Sequence, residues 1–151
     1  MSTLHPIQKR NAVLSRMATL LEEERANLKA VNNQDLDNYS GADLAMEKRL
    51  LVDDAKIDGM ILSMQQLASQ EDPIGVERFH FVHEKGMKIT NKTAAFGTVM
   101  IIYESRPDVT VEAGGIAFKS GNKILLKGGK ESLLSNLKIV ALWHQALKEN
   151  E

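Results

Sequence analysis

Two short polar stretches hold the residue types from which a binding site could be built. The first is Glu104, Ser105, Arg106 and Pro107; the second is Lys127, Gly128, Gly129, Lys130, Glu131 and Ser132. Glycines ahead of a helix leave backbone N–H groups free for an anion, so the second stretch suggests a phosphate loop at first sight. The strict triphosphate loop is not met, because it requires glycine where Ile124 stands and Ser or Thr where Glu131 stands. The dinucleotide fingerprint G-x-G-x-x-G is also missing, since Gly114 and Gly115 are adjacent and fall inside a helical pattern. On residue types alone, 127–132 reads equally as a phosphate site or as a structural turn. Lys127 and Lys130 then read as solvated lysines, and Arg106 as a partner of Glu104 or Asp108.

The elements that would position these stretches are a strand, a helix and a second strand. Residues 98–103 are apolar at nearly every position, the pattern of a strand covered on both faces. Pro107 bars the ladder from continuing and makes 104–107 a loop at the strand's carboxyl end. A helix over 109–119 follows, halted at Gly121 and Asn122, and a second apolar run over 123–127 ends in Gly128 and Gly129. This is a βαβ unit with both polar loops at the carboxyl ends of its strands, where open α/β sheets bind ligands.

Upstream, Leu14, Met17, Leu21 and Leu28 share one face, predicting an amphipathic helix over 7–29 with Pro6 at its start. Glu22, Glu23 and Glu24 spread over most of a helical turn and read as a solvated face rather than a metal site. Asn32 and Asn33 read as a break before a short helix over 34–39. A helix over 43–51 follows, and then one capped by Asp53, with Ile57, Met60, Ile61, Met64, Leu67 and Ala68 recurring three and four apart. Its methionines read as core packing rather than as a binding groove. Alternation over 76–93 around Glu84, Lys85 and Gly86 predicts a β-hairpin. Its His80 and His83 face opposite ways and are surface histidines. A last helix, with Ser132 as cap, presents Leu133, Leu137, Val140 and Leu147 on one face with Trp143 alongside. Two parallel strands make a poor sheet, so the architecture is expected to be part of a larger one.

Of the 151 residues, 43% are hydrophobic and 26% charged, with a formal net charge of −1. That composition fits a globular domain, and it offers no general attraction for nucleic acid or an anionic membrane surface. No run reaches the length of a membrane span and no signal-peptide core opens the chain, so a cytoplasmic location is expected. The chain has no cysteine, which excludes disulfides, thiolate metal sites and a thiol nucleophile within it.

The order Gly97, Thr98, Val99 into Ile102, Tyr103, Glu104, Ser105, Arg106, Pro107, then Lys119, Ser120, Gly121, Asn122, then Leu126, Lys127, Gly128, Gly129, Lys130, Glu131 resembles the cofactor-domain core of gamma-glutamyl phosphate reductases. These are glutamate-5-semialdehyde dehydrogenases of the aldehyde dehydrogenase superfamily. The resemblance extends upstream through Met46, Glu47, Lys48, Arg49, Leu50 and through Gln70, Glu71, Asp72, Pro73, Ile74, Gly75. It implies an α/β fold: the N-terminal part of an aldehyde-dehydrogenase-like, Rossmann-type cofactor domain, with a helical region, a β-hairpin arm and then βαβα. Residues 1–151 would be the incomplete N-terminal part of an NADP-binding domain, and 76–93 an arm reaching a neighbouring subunit of a homo-oligomer.

The implied reaction is NADPH-dependent reduction of L-glutamyl 5-phosphate to glutamate 5-semialdehyde in proline biosynthesis. Lys127 would contact the adenosine ribose, with Gly128 and Gly129 beside the adenosine half of NADP(H) and Lys130 near a ribose phosphate. Ser105 would stand at the oxyanion-donor position, and Arg106 would meet the substrate's phosphate or carboxylate. Asp108 departs from the asparagine more usual in the family. The family's nucleophile is a cysteine thiolate, so the chain alone is expected to be inactive. Two other readings stay open: a short non-catalytic product that binds full-length subunits through the hairpin, and an unrelated nucleotide-binding α/β domain.

Overall fold

The computed structural model describes residues 5–150. Four helices come first, α1 (Ile7–Glu23), α2 (Arg25–Asn38), α3 (Leu44–Leu50) and α4 (Asp54–Ser69). Two antiparallel strands follow, β1 (Glu77–Val82) and β2 (Lys88–Lys92). Then come β3 (Thr98–Ile102), α5 (Pro107–Lys119), β4 (Lys123–Lys127) and, after one 3-10 turn over Lys130–Ser132, α6 (Leu133–Lys148).

The predicted periodicities build the core. Leu14, Met17, Leu21, Leu28, Ile57 and Met64 have no exposed surface, each contributing about 1.5–3 kcal/mol of apolar burial. Helix α1 packs most closely on α4, α4 on α5, and α6 on α2 and α1. Asp53 caps α4 as expected, and Asp43, read as the first residue of its helix, is instead the cap of α3. Asp43 accepts from the N–H of Ala45 (2.8 Å) and Asp53 from that of Lys56 (2.8 Å). Pro107 occupies the first turn of α5, two residues earlier than predicted, where its missing N–H costs nothing.

The first helix differs from the expectation. It is interrupted at Glu24, and α2 runs straight through Asn32 and Asn33 to Asn38, so no separate helix over 34–39 exists. Asn32 does not break the helix because its amide is consumed by tertiary partners. It donates to the Leu50 carbonyl (2.9 Å) and accepts from the Val52 N–H (2.7 Å), a fully buried exchange. Glu22, Glu23 and Glu24 are engaged by three different cations, Arg25, Arg16 and Lys138.

Gly114 and Gly115 fall inside α5, and they are where neighbours come closest. A Cβ on Gly115 would lie 2.5 Å from Met64 Cε, and one on Gly114 3.0 Å from Trp143 Nε1. The pair lets α4 and α6 approach the backbone of α5, which offsets the propensity cost of about 1 kcal/mol per glycine.

The hairpin forms as predicted but stands almost entirely in solvent. Phe79, Phe81 and Val82 are 55%, 47% and 65% exposed, so its apolar side chains have no surface to cover them among the described residues. Its base is tied by Thr93, whose hydroxyl donates to the Pro73 carbonyl (2.7 Å) and accepts from the Val76 N–H (2.9 Å).

Strands β3 and β4 pair in parallel, Thr98 opposite Lys123 through Ile102 opposite Lys127. The expectation that β3 is covered on both faces needs correction. Val99, Ile101, Ile124 and Leu126 are partly buried on one side of the sheet, whereas Met100, Ile102 and Leu125 are exposed on the other. Helix α6 is also rotated from the predicted face. It buries Ile139, Leu142, Trp143 and Ala146, and leaves Leu133 and Leu137 more than half exposed. The strands differ from expectation because nothing among the described residues covers their outer side, and α6 differs because it packs on α2, α1 and α5 rather than on the sheet.

Candidate functional site at the strand ends

The βαβ register brings the two polar stretches together. The Tyr103 N–H donates to the Lys127 carbonyl (3.1 Å), so the strands leave the sheet side by side. Beyond that point the loops are clasped: Ser105, nearly fully buried, donates its hydroxyl to Glu131 Oε2 (2.6 Å). This bond, helped by the backbone at Glu131, holds the Glu131 carboxyl below the usual range. Gly129 is glycine for a packing reason, because a Cβ there would collide with the Ser105 hydroxyl.

Arg106 donates to Asp108 Oδ2 (2.7 Å) and is half exposed, while Glu104 instead pairs with Arg49 (2.5 Å). Asp108 itself is buried at the start of α5, and its Oδ1 has no partner among the described residues. Lys127 reaches only the Gly128 carbonyl (3.4 Å) and, with Lys130, forms no ion pair among the described residues.

Between these loops and α6 lies a cleft of about 310 Å³. Lys127, Gly128, Gly129 and Lys130 line it together with the polar side chains of Tyr103, Thr110 and Asn136, and Leu126, Leu133, Leu137 and Val140 give it apolar surface. That volume is at the lower end of small-ligand pockets, enough for the nucleoside half of a dinucleotide. An apolar wall for a ring system with two ammonium groups beside it, neither in an ion pair among the described residues, is a donor set that fits an adenosine phosphate. So four of the predicted residues line one cleft, whereas Ser105 and Arg106 do not line it. A larger apolar cleft of about 870 Å³, bounded by β4, Trp143 and Leu147, holds none of the six.

Sequence reasoning missed the residues that stiffen this site. The Tyr103 hydroxyl lies 2.6 Å from Thr110 Oγ1, Thr110 donates to Asn136 Oδ1 (2.7 Å), and Asn136 Nδ2 donates to Ser132 Oγ (2.9 Å). Because Thr110 gives its one hydrogen to the amide oxygen, Tyr103 must be the donor at the other end. Burial pushes the Tyr103 hydroxyl above its ordinary pKa, with the bond to Thr110 opposing. The only sequence signal was the four-residue spacing of Ser132 and Asn136. Ser132 was expected to cap α6 and does not. Asp35 does so from α2, accepting from the N–H groups of Leu134 (3.1 Å) and Ser135 (2.8 Å).

In fold, this arrangement matches the N-terminal part of aldehyde dehydrogenases. A benzaldehyde dehydrogenase from Corynebacterium glutamicum matches at a TM-score of 0.75 with 16% identity, over 94% of this chain and 29% of that one. More particularly, by sequence and fold the chain resembles the N-terminal portion of gamma-glutamyl phosphate reductases. The crystal structure of the Thermotoga maritima enzyme matches at a TM-score of 0.91 with 36% identity, over 97% of this chain and 36% of that one. The Hydrogenobaculum gamma-glutamyl phosphate reductase is 36% identical over 152 positions, 99% of this chain and 34% of its own length. The chain thus spans about a third of the length of the curated relatives it matches. No protein-family model matches it.

Proposed function

We propose that this chain forms the first part of the NADP-binding domain of a reductase that converts L-glutamyl 5-phosphate to L-glutamate 5-semialdehyde in proline biosynthesis. What carries the proposal is the cleft at the strand ends, where two lysines without an ion-pair partner among the described residues stand beside an apolar wall, in a chain that resembles about a third of the length of gamma-glutamyl phosphate reductases. Lys127 would hold the adenosine ribose and Lys130 a ribose phosphate, which favours NADP(H), and Gly128 and Gly129 let the backbone come close. The bound cofactor would supply the hydride. Arg106 would turn from Asp108 to the substrate's phosphate or carboxylate. Ser105 would serve as an oxyanion donor once its hydroxyl is released from Glu131.

The reaction also needs a thiolate to displace phosphate from the acyl group, and none of the 151 residues is cysteine. The activity is therefore assigned to the intact protein, and this chain by itself is expected to reduce nothing. A cytoplasmic location goes with this reading; no described helix is long and apolar enough to cross a membrane.

NADPH titration of the intact protein tests the site. Lys127→Ala should weaken binding on the order of tenfold, the loss of one charge-assisted hydrogen bond. Undetectable binding in the unaltered protein, or an affinity indifferent to Lys127, would overturn the assignment. The exposed apolar side chains of the hairpin support a role as a homo-oligomer arm. Phe81→Glu should shift the intact protein to a smaller species in sedimentation velocity; an unchanged assembly would remove the arm from the interface.

A further inference from the structure

We infer that Asn136 is a positioning residue for the Gly128 and Gly129 loop, and that it sets the affinity for NADPH without touching the reacting atoms. The inference rests on the reading of that loop as the cofactor site. Three observations carry it. Both ends of the Asn136 amide are committed, Oδ1 accepting from Thr110 on α5 (2.7 Å) and Nδ2 donating to Ser132 (2.9 Å). Ser132, fully buried, passes its own hydrogen to the Gly129 carbonyl (3.3 Å). Nδ2 also sits against Gly128, where a Cβ would come within 2.6 Å of it.

The hydrogen-bond chain therefore has one direction, from Tyr103 to Thr110, Asn136, Ser132 and the loop carbonyl. Through the adjoining Ser132 it ties the loop to Asn136 on α6 and Thr110 on α5. A glycine pair loses more conformational freedom on ordering than any other dipeptide. A loop held in place before the ligand arrives spares that cost at binding. Asn136 is the joint of the chain because it alone supplies both an acceptor toward Thr110 and a donor toward Ser132. A carboxylate there would keep the first contact, but it would draw the Ser132 hydrogen to itself and release the Gly129 carbonyl.

The test uses the intact protein, with NADPH as the probe and Lys127→Ala measured in parallel. Asn136→Ala and Ser132→Ala should each raise the NADPH dissociation constant and KM about five- to tenfold, the effect of one lost hydrogen bond. The kcat and the KM for the acyl phosphate should stay within about twofold, a split that general destabilisation would not produce. The double variant should be no worse than either single one, since both remove the same link. Asn136→Asp should weaken NADPH in the same direction, and it decides the matter if the alanine variant does not fold. Unchanged NADPH affinity in both Asn136 variants, with Lys127→Ala still impaired, overturns the inference and leaves the site assignment standing. Additive effects in the double variant overturn the relay. Loss of the Lys127 effect removes the site and the inference together.

Discussion

Arg10→Ala is expected to cost about 3–5 kcal/mol of folding stability, because it strips one member from a buried ionic junction and leaves the others without compensation. Arg10 is 2% exposed, and its guanidinium meets three acceptors: the His5 carbonyl (3.0 Å), the Lys119 carbonyl and Asp72 Oδ2 (2.6 Å). Lys119, equally buried, donates to Asn11 Oδ1 (2.7 Å) and the Gln70 carbonyl (2.6 Å). The junction thus ties α1 to the end of α5 and to the segment that leaves α4. Arg10→Lys should recover only part of the loss, since one ammonium cannot span acceptors arranged for a planar fork.

The same junction predicts a pH dependence. Partial burial raises the Asp72 carboxyl, but Arg10 and the Ile74 N–H more than reverse this, so its pKa lies below the ordinary value. A depressed carboxylate stabilises the fold at pH above its unfolded pKa of about 3.9 and loses that contribution as pH falls through the folded value. Arg10→Ala should therefore also flatten the acid limb of stability against pH. Urea unfolding between pH 7 and pH 3 measures both effects. A midpoint at pH 7 within error of the unaltered chain would show that the junction contributes nothing.

Asp35→Ala should cost about 2–4 kcal/mol, combining a lost N-cap with a buried hydroxyl left without its acceptor. Asp35 is 4% exposed and accepts from two backbone N–H groups of α6 and from the Ser135 hydroxyl (2.7 Å). Asp35→Asn should lose less, because one oxygen still accepts while the charge that favours a helix N-terminus is gone. Thermal unfolding should place the alanine variant on the order of 10 °C below the parent. A shift no larger than that of a surface substitution on α2 would mean that α6 is held by its apolar face alone.

The candidate site was partly legible for a simple reason. Lys127, Gly128, Gly129 and Lys130 are consecutive, so their joint presence in one cleft follows once β4 is a strand. Ser105 and Arg106 are consecutive too, but their side chains are claimed by Glu131 and Asp108, and only packed loops decide such claims. Asn136 and Thr110 lie 26 residues apart and carried no mark of joint service. The predicted apolar face of α6 failed in the same way: Leu133 and Leu137 are as periodic as Ile139 and Trp143, and periodicity does not say which face has a neighbour.

What the sequence determined by itself was whatever is settled within a turn or a strand. It determined the helical spacing of Leu14, Met17 and Leu21, the cap at Asp53, the hairpin turn, and the βαβ unit between Gly97 and Gly128. Tertiary structure alone decided the fate of the polar residues inside. Asn32 became a buried bridge rather than a helix breaker, and Asp35 caps a helix 100 residues away. Arg10 closes a junction with Lys119 across 109 residues. The physical reason is reach: backbone propensity and capping act over about four residues, whereas a buried polar group is tolerable only with partners that the folded chain alone brings within hydrogen-bonding distance.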